Sequence, residues 1–101
     1  MSRLVLDPKT VVEVKNIGFD FTSSLGIGET LSTAVVTASV YSGTDASPGS
    51  LISGSASIAG SIANQKIAGG VLGVIYSLLC TVTTSTGQTL VLSGLLAIAS
   101  L

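Results

Sequence analysis

Residues 69–99, GGVLGVIYSLLCTVTTSTGQTLVLSGLLAIA, restrict the possible folds more than any other part of the chain. Val74, Tyr76, Leu78, Cys80 and Val82 alternate with Ile75, Ser77, Leu79, Thr81 and Thr83. Side chains two positions apart leave the same face of an extended chain, so the first set builds one apolar face. Ser85-Thr86-Gly87-Gln88 then reads as a turn, with Gly87 able to take positive φ at no steric cost. A second apolar run follows over residues 90–98. Two β-rich runs joined by a short glycine-containing loop predict a hairpin.

The rest of the chain reads as shorter pieces of the same kind. Residues 1–6 are expected to form an N-terminal arm and residues 7–101 a single domain. In the arm, Leu4, Val5 and Leu6 precede Asp7-Pro8, where proline confines its predecessor to extended backbone. Residues 11–21 alternate, but their apolar face changes side near Asn16-Ile17-Gly18, which predicts a bulge there. Residues 22–29 form a glycine-punctuated connection. Residues 30–41 make the next strand, with Leu31, Val35 and Tyr41 on one face and Ala34, Val36, Ala38 and Val40 on the other. Residues 42–50, SGTDASPGS, are the clearest loop. Residues 53–62 read as a weak strand interrupted by Gly60, at a sheet edge or closely approached by another chain. Residues 65–68 suit a short strand before Gly69-Gly70.

Six or seven short strands at this spacing predict an all-β fold, an antiparallel β-sandwich of immunoglobulin or fibronectin-III type. Within it Tyr76 has two readings. Its hydroxyl bonds back to upstream backbone as in a tyrosine corner, or it is a half-buried aromatic with a solvated hydroxyl.

Composition narrows the chemistry. The 101 residues suffice for one core without metal or disulfide staples. Only 9% of them are charged, against about 25% in an ordinary soluble domain. The surface is therefore clothed in Ser, Thr and Gly or covered by partners. Arg3, Lys9, Lys15 and Lys66 stand singly in a chain of net charge −1, which offers no footprint for nucleic acid and no polybasic membrane patch. A mean hydropathy of +0.78 raises the membrane question. The longest apolar stretch, residues 67–82, is shorter than the roughly 20 residues a spanning helix needs and alternates like a strand. The opening MSRLVLDPK carries no secretory signal pattern.

The chain has no histidine, so Ser–His–Asp and Cys–His catalysis are both impossible. Cys80 is the single cysteine; it reads as a small buried hydrophobe, with a reactive thiol as the alternative. Of the five acids, only Asp20 and Glu29 stand where a loop could join them, and two carboxylates alone are a weak calcium site. Gly26-Ile27-Gly28 lacks the third glycine of a dinucleotide fingerprint, and no Lys-Ser/Thr follows Gly69–Gly73 as a P-loop requires. Four aromatics are too few for a stacking platform. The expectation is a protein that is not an enzyme and holds neither cofactor nor metal.

The order of features resembles the fibre-tail adaptors of tailed bacteriophages. Asp7-Pro8 opens the pattern, Phe19-Asp20-Phe21 closes the first strand, and Leu25 and Gly28-Glu29-Thr30-Leu31 follow. Gly69-Gly70, Tyr76 and the hairpin of residues 82–88 match its second half. The resemblance spans roughly residues 7–92. It implies a structural virion protein, made in the bacterial host cytoplasm and present as copies in a ring. Its place would be the tail or neck, where it docks fibres or tail components onto the portal-adaptor-nozzle region. A capsid decoration protein and a receptor- or glycan-binding module are the alternatives. The expected partner-facing residues are Leu4, Val5 and Leu6 in the arm, Asp45 and Pro48 in the loop, and Leu96, Ile98 and Leu101 at the apolar end. Arm and end suit strand addition to a neighbouring sheet as well as completion of the domain's own sheets.

Overall fold

The computed structural model of the chain describes residues 9–99 and, for the backbone alone, Arg3–Val5. Its strands are β1 (Arg3–Val5), β2 (Lys9–Thr10), β3 (Val14–Asp20), β4 (Leu31–Ser42), β5 (Ile52–Ala59), β6 (Ile62–Ala68), β7 (Ile75–Thr84) and β8 (Thr89–Ala99). Helical turns among the described residues are confined to two short 3-10 segments, Thr22–Ser24 and Pro48–Leu51. The first sheet runs β1-β8-β7-β4, with β2 on the same edge of β8 as β1; the second runs β3-β6-β5. Their apolar faces close on one core. Ile17, Phe19, Ala63 and Ile67 of the second sheet face Val36, Tyr76, Leu78, Val82 and Leu96 of the first. The fold is the all-β sandwich that the spacing of apolar runs predicts.

The β7–β8 hairpin pairs without a break from Ile75↔Ala97 to Thr83↔Thr89. The predicted inward set is the buried set: Tyr76, Leu78, Cys80 and Val82 have no exposed surface. Fully burying a side chain of this size contributes roughly 1.5–3 kcal/mol, which makes this face the largest local stabiliser. The turn is closed by Thr84 N–H to Gln88 O at 2.9 Å and Gln88 N–H to Thr84 Oγ1 at 3.1 Å.

Elsewhere the pattern needs correction. β3 pairs continuously with β6 from Val14↔Ala68 to Asp20↔Ile62, so no bulge lies at Asn16-Ile17-Gly18. The apolar face does not change side; Val14 simply faces outward and is 60% exposed. Val11 and Val12 precede the strand, in a turn held by Glu13 N–H to Thr10 O and by Thr10 N–H to Glu13 Oε1. In β4 Ala34, Val36, Ala38 and Val40 share one face, as expected, and it is the inward one, but Leu31, expected on the opposite face, is also buried. The register shift between Leu31 and Thr33 adds a residue and reverses the parity.

The weak strand ends at Ala59 rather than at Ile62. Gly60, at φ 61°, and Ser61 form a two-residue loop into β6, with glycine at the position a type II′ turn requires. The short strand expected at residues 65–68 therefore begins at Ile62. β5 is an edge strand, as its small side chains suggest.

Candidate functional site

Three connections crowd one end of the sandwich: the turn after β2, residues 43–51 and residues 69–74. Each is tied down by a side chain. Tyr76, at the second position of β7, reaches back so that its hydroxyl accepts Val71 N–H at 2.9 Å and donates to Asp45 Oδ2 at 2.6 Å. This is the first of its two readings, a hydroxyl bonded to upstream backbone, with Asp45 as a partner that spacing did not foretell. Burial, and then the bond to Asp45, raise the Tyr76 pKa. The Asp45 carboxyl is held below its ordinary value by the same bond and by Ser47 N–H. Gly70, at φ +101°, lies so close to the core that a Cβ there would stand 2.8 Å from Ile98 Cδ1.

Lys9 is the second anchor. Its side chain has no exposed surface, and Nζ donates to Gly69 O at 2.6 Å and Thr10 O at 2.7 Å, with Val11 O at 3.5 Å. Desolvation lowers its pKa, partly offset by the charge of Glu13. The ammonium joins the N-terminal edge of the first sheet to the glycine turn that follows β6. On these anchored loops stand exposed apolar side chains: Val11, Val12, Val71 and Leu72. This end thus combines tied-down backbone with exposed apolar side chains.

The opposite end is stapled by Glu29. Oε1 accepts Gly26 N–H at 2.9 Å, while Oε2 accepts the hydroxyls of Thr84, at 2.7 Å, and Thr86. The connection of residues 25–30 is thereby pinned to the β7–β8 turn. Asp20 instead receives Thr22 N–H and Oγ1–H at the start of the first 3-10 turn. The two carboxylates serve separate turns, and no metal-holding group of three or more His, Cys, Asp or Glu occurs among the described residues. Cys80 is fully buried and its thiol is pushed up to about 11, which keeps it protonated and inert. No helix of the described residues is long and apolar enough to cross a membrane.

The residues expected to face partners fare differently. Asp45 and Pro48 lie on the loop of residues 43–51, Asp45 turned inward to Tyr76 and Pro48 opening the second 3-10 turn. Leu96 and Ile98 are 1% and 3% exposed. They are core residues, because the alternation of β8 sends its even positions inward, into the core between the two sheets. Leu4 and Val5 pair by backbone with Gly94 and Leu95, so the arm segment adds a parallel strand to the chain's own first sheet. Leu6 and Leu101, like Asp7-Pro8, lie outside the described residues.

Two residues with structural tasks escaped the reading of the sequence. Lys9 passed for one of several scattered cations. Gln65 is 1% exposed and donates Nε2 to Ser53 O, Gly54 O and Lys66 O, at 3.0–3.1 Å. It fills the gap where β5 loses register with β6 between Ser53 and Ser57. A polar residue at an inward position between Ala63 and Ile67 was the available signal. The cleft of about 170 Å³ beside it, between β4 and β5, is lined by alkyl groups, small side chains and backbone, which supply no reactive group.

The family model described as podophage GP4 fiber-tail adaptor protein gp77 matches residues 9–97. The chain belongs to this family. The match begins at Lys9 and takes in all three anchored loops, the Glu29 staple and nearly all of the closing hairpin. Membership in the fibre-tail adaptor family makes the protein a structural component of a phage tail. No curated protein matches the chain.

Proposed function

We propose that the protein is a non-enzymatic virion component that docks tail fibres, or another tail component, at the neck of a short-tailed phage. The observation that carries this reading is the family match across residues 9–97. The folded chain supports it in two ways. Among the described residues, the carboxylates of Glu29 and Asp45 and the buried Lys9 ammonium all hold loops in place. Its loop end presents Val11, Val12, Val71 and Leu72 on backbone that is already fixed, so little entropy is lost when a partner covers them.

In this reading Asp45 and Pro48 shape the docking loop, while Leu4 and Val5 extend the sheet edge beside it. Several copies surround the tail, and the chain reaches that position from the host cytoplasm. Deletion of the gene tests the proposal. Particles that lack the protein are expected to package DNA yet carry no fibres, with wild-type protein supplied in trans restoring them. Fully fibred particles from the deletion strain would exclude the role.

A further inference from the structure

Among the described residues, three of the four sheet edges carry features that discourage further pairing. Along β8 lie β1 and β2, only three and two residues long. β3 carries Lys15 and Asp20, and β5 loses register between Ser53 and Ser57, with Gly54 at φ 75°. The fourth edge, β4, runs for twelve residues without a charge or a proline. Its register shifts are confined to Leu31/Thr33 and Val40/Ser42, which leaves residues 33–40 regular. It pairs with β7 on one side and with no described strand on the other.

The closing hairpin shows which backbone groups of β4 are free. Thr84 N–H donates to Gln88 O, so the even residues of β7 turn toward β8. Ser85 N–H donates to Thr30 O, so the odd ones turn toward β4. Odd residues of β4 answer them, in pairs such as Val35↔Thr81 and Thr37↔Leu79. Ala34, Val36 and Ala38 therefore direct N–H and C=O away from β7. Ala34 and Ala38 are only half-buried although their side chains face inward, so this side is open. The cleft of about 170 Å³ lies beside them, between Ala34 and Val36 of β4 and Ile52 and Ala56 of β5. A cavity of about 150 Å³ holds a benzene-sized group, so this one takes a single branched or aromatic side chain.

We infer that the β4 edge is completed by an extended segment of another protein. Its backbone bonds Ala34, Val36 and Ala38, and its central side chain, apolar and uncharged, fills the cleft. A helix does not serve, because its backbone groups are already bonded within it. A charged side chain does not serve either, because no charged residue lines the cleft to compensate its lost hydration. Nor do the described strands of a second copy supply the segment. Each is already paired, and the inward side chains of its β4, such as Val36 at 6% exposed, are held in its own core. This inference goes beyond the fibre-docking reading and does not depend on it.

The full chain and a capped peptide, acetyl-Lys-Thr-Val-Thr-Leu-Thr-Val-Thr-Lys-amide, test it by titration calorimetry and amide exchange. Saturable binding is expected, with exchange slowed at Ala34, Val36 and Ala38 but not at Val71 and Leu72. A peptide with aspartate in place of the central leucine binds about a hundredfold more weakly. Ala38→Pro removes one outward N–H and leaves the β4–β7 ladder intact, since edge strands tolerate proline where the N–H faces solvent. It is expected to weaken binding about tenfold. Ala34→Pro repeats the measurement if circular dichroism shows that Ala38→Pro misfolds. Absence of saturable binding overturns the inference, as does binding that survives both proline variants or the aspartate exchange. Protection confined to Val71 and Leu72 does the same. A wild type that dimerises without peptide, and that Ala38→Pro returns to monomer, assigns the edge to a second copy and also overturns it.

Discussion

The hydroxyl of Tyr76 donates to Oδ2 of Asp45 at 2.6 Å, joining the base of β7 to a loop 31 residues upstream. Because the same hydroxyl accepts Val71 N–H, one phenol ties together two loops at this end of the sandwich. Tyr76→Phe keeps the ring in the core and removes only this junction. Leaving a part-buried N–H without its acceptor is expected to cost about 1–3 kcal/mol. Chemical denaturation measures that loss, and amide exchange should rise most across residues 43–51 and 69–74.

Lys9 makes a separate prediction. Lys9→Ala removes the donor to Gly69 O and Thr10 O, and with it the tie between the β2 edge and the turn after β6. Hydrogen bonds to charged groups contribute about 1.5–3 kcal/mol, so the melting temperature falls measurably. Exchange of amides in β2 should accelerate more than in β7. Uniform acceleration would contradict the assignment of Lys9 as a local anchor.

Gln65→Leu tests the repair of the β5 edge. Leucine fits the apolar surroundings but leaves the carbonyls of Ser53 and Gly54 without the amide that now reaches them. The expected destabilisation is about 1–3 kcal/mol despite the gain in hydrophobicity. A stabilised variant would show that water satisfies those carbonyls equally well.

Acid sensitivity follows from the carboxylates. Glu29 lies below its ordinary value of 4.5 through Gly26, Thr84 and Thr86, and Asp45 below 3.8 through Tyr76 and Ser47. A group depressed in the folded state binds fewer protons there than in the unfolded chain. Its contribution is complete above the ordinary carboxylate values and is lost as pH falls through the folded ones. Melting temperatures should therefore be flat near neutrality and drop below about pH 4.5. Glu29→Gln is expected to be less stable at pH 7 and to show a shallower acid decline.

The hairpin of residues 75–99 was legible because its alternation is local and unbroken, and because Gly87 marks the turn. The sandwich followed from repetition of the same signal. That the arm completes the chain's own sheet was one of two readings, but its partner β8 and the parallel direction were not legible, since pairing over some 90 residues leaves no mark on neighbouring positions. Leu96 and Ile98 misled because apolar residues near a chain end suit a core strand and an interface equally well. The bulge at Leu31–Thr33 defeated a strict parity argument, as an inserted residue always does. Of the end where Tyr76 and Lys9 anchor the loops, the loop of residues 42–50 and Tyr76 were visible in the sequence. Lys9 was not, because a lysine next to proline and threonine resembles any solvated cation until the carbonyls around it are known.

Position in the particle is the most direct test of the adaptor role. A cryo-EM reconstruction of the intact virion should place this β-sandwich where fibres meet the tail, with the Val71–Leu72 end covered by a neighbouring protein. Density for it only on the capsid faces, or none in the purified particle, would contradict the account.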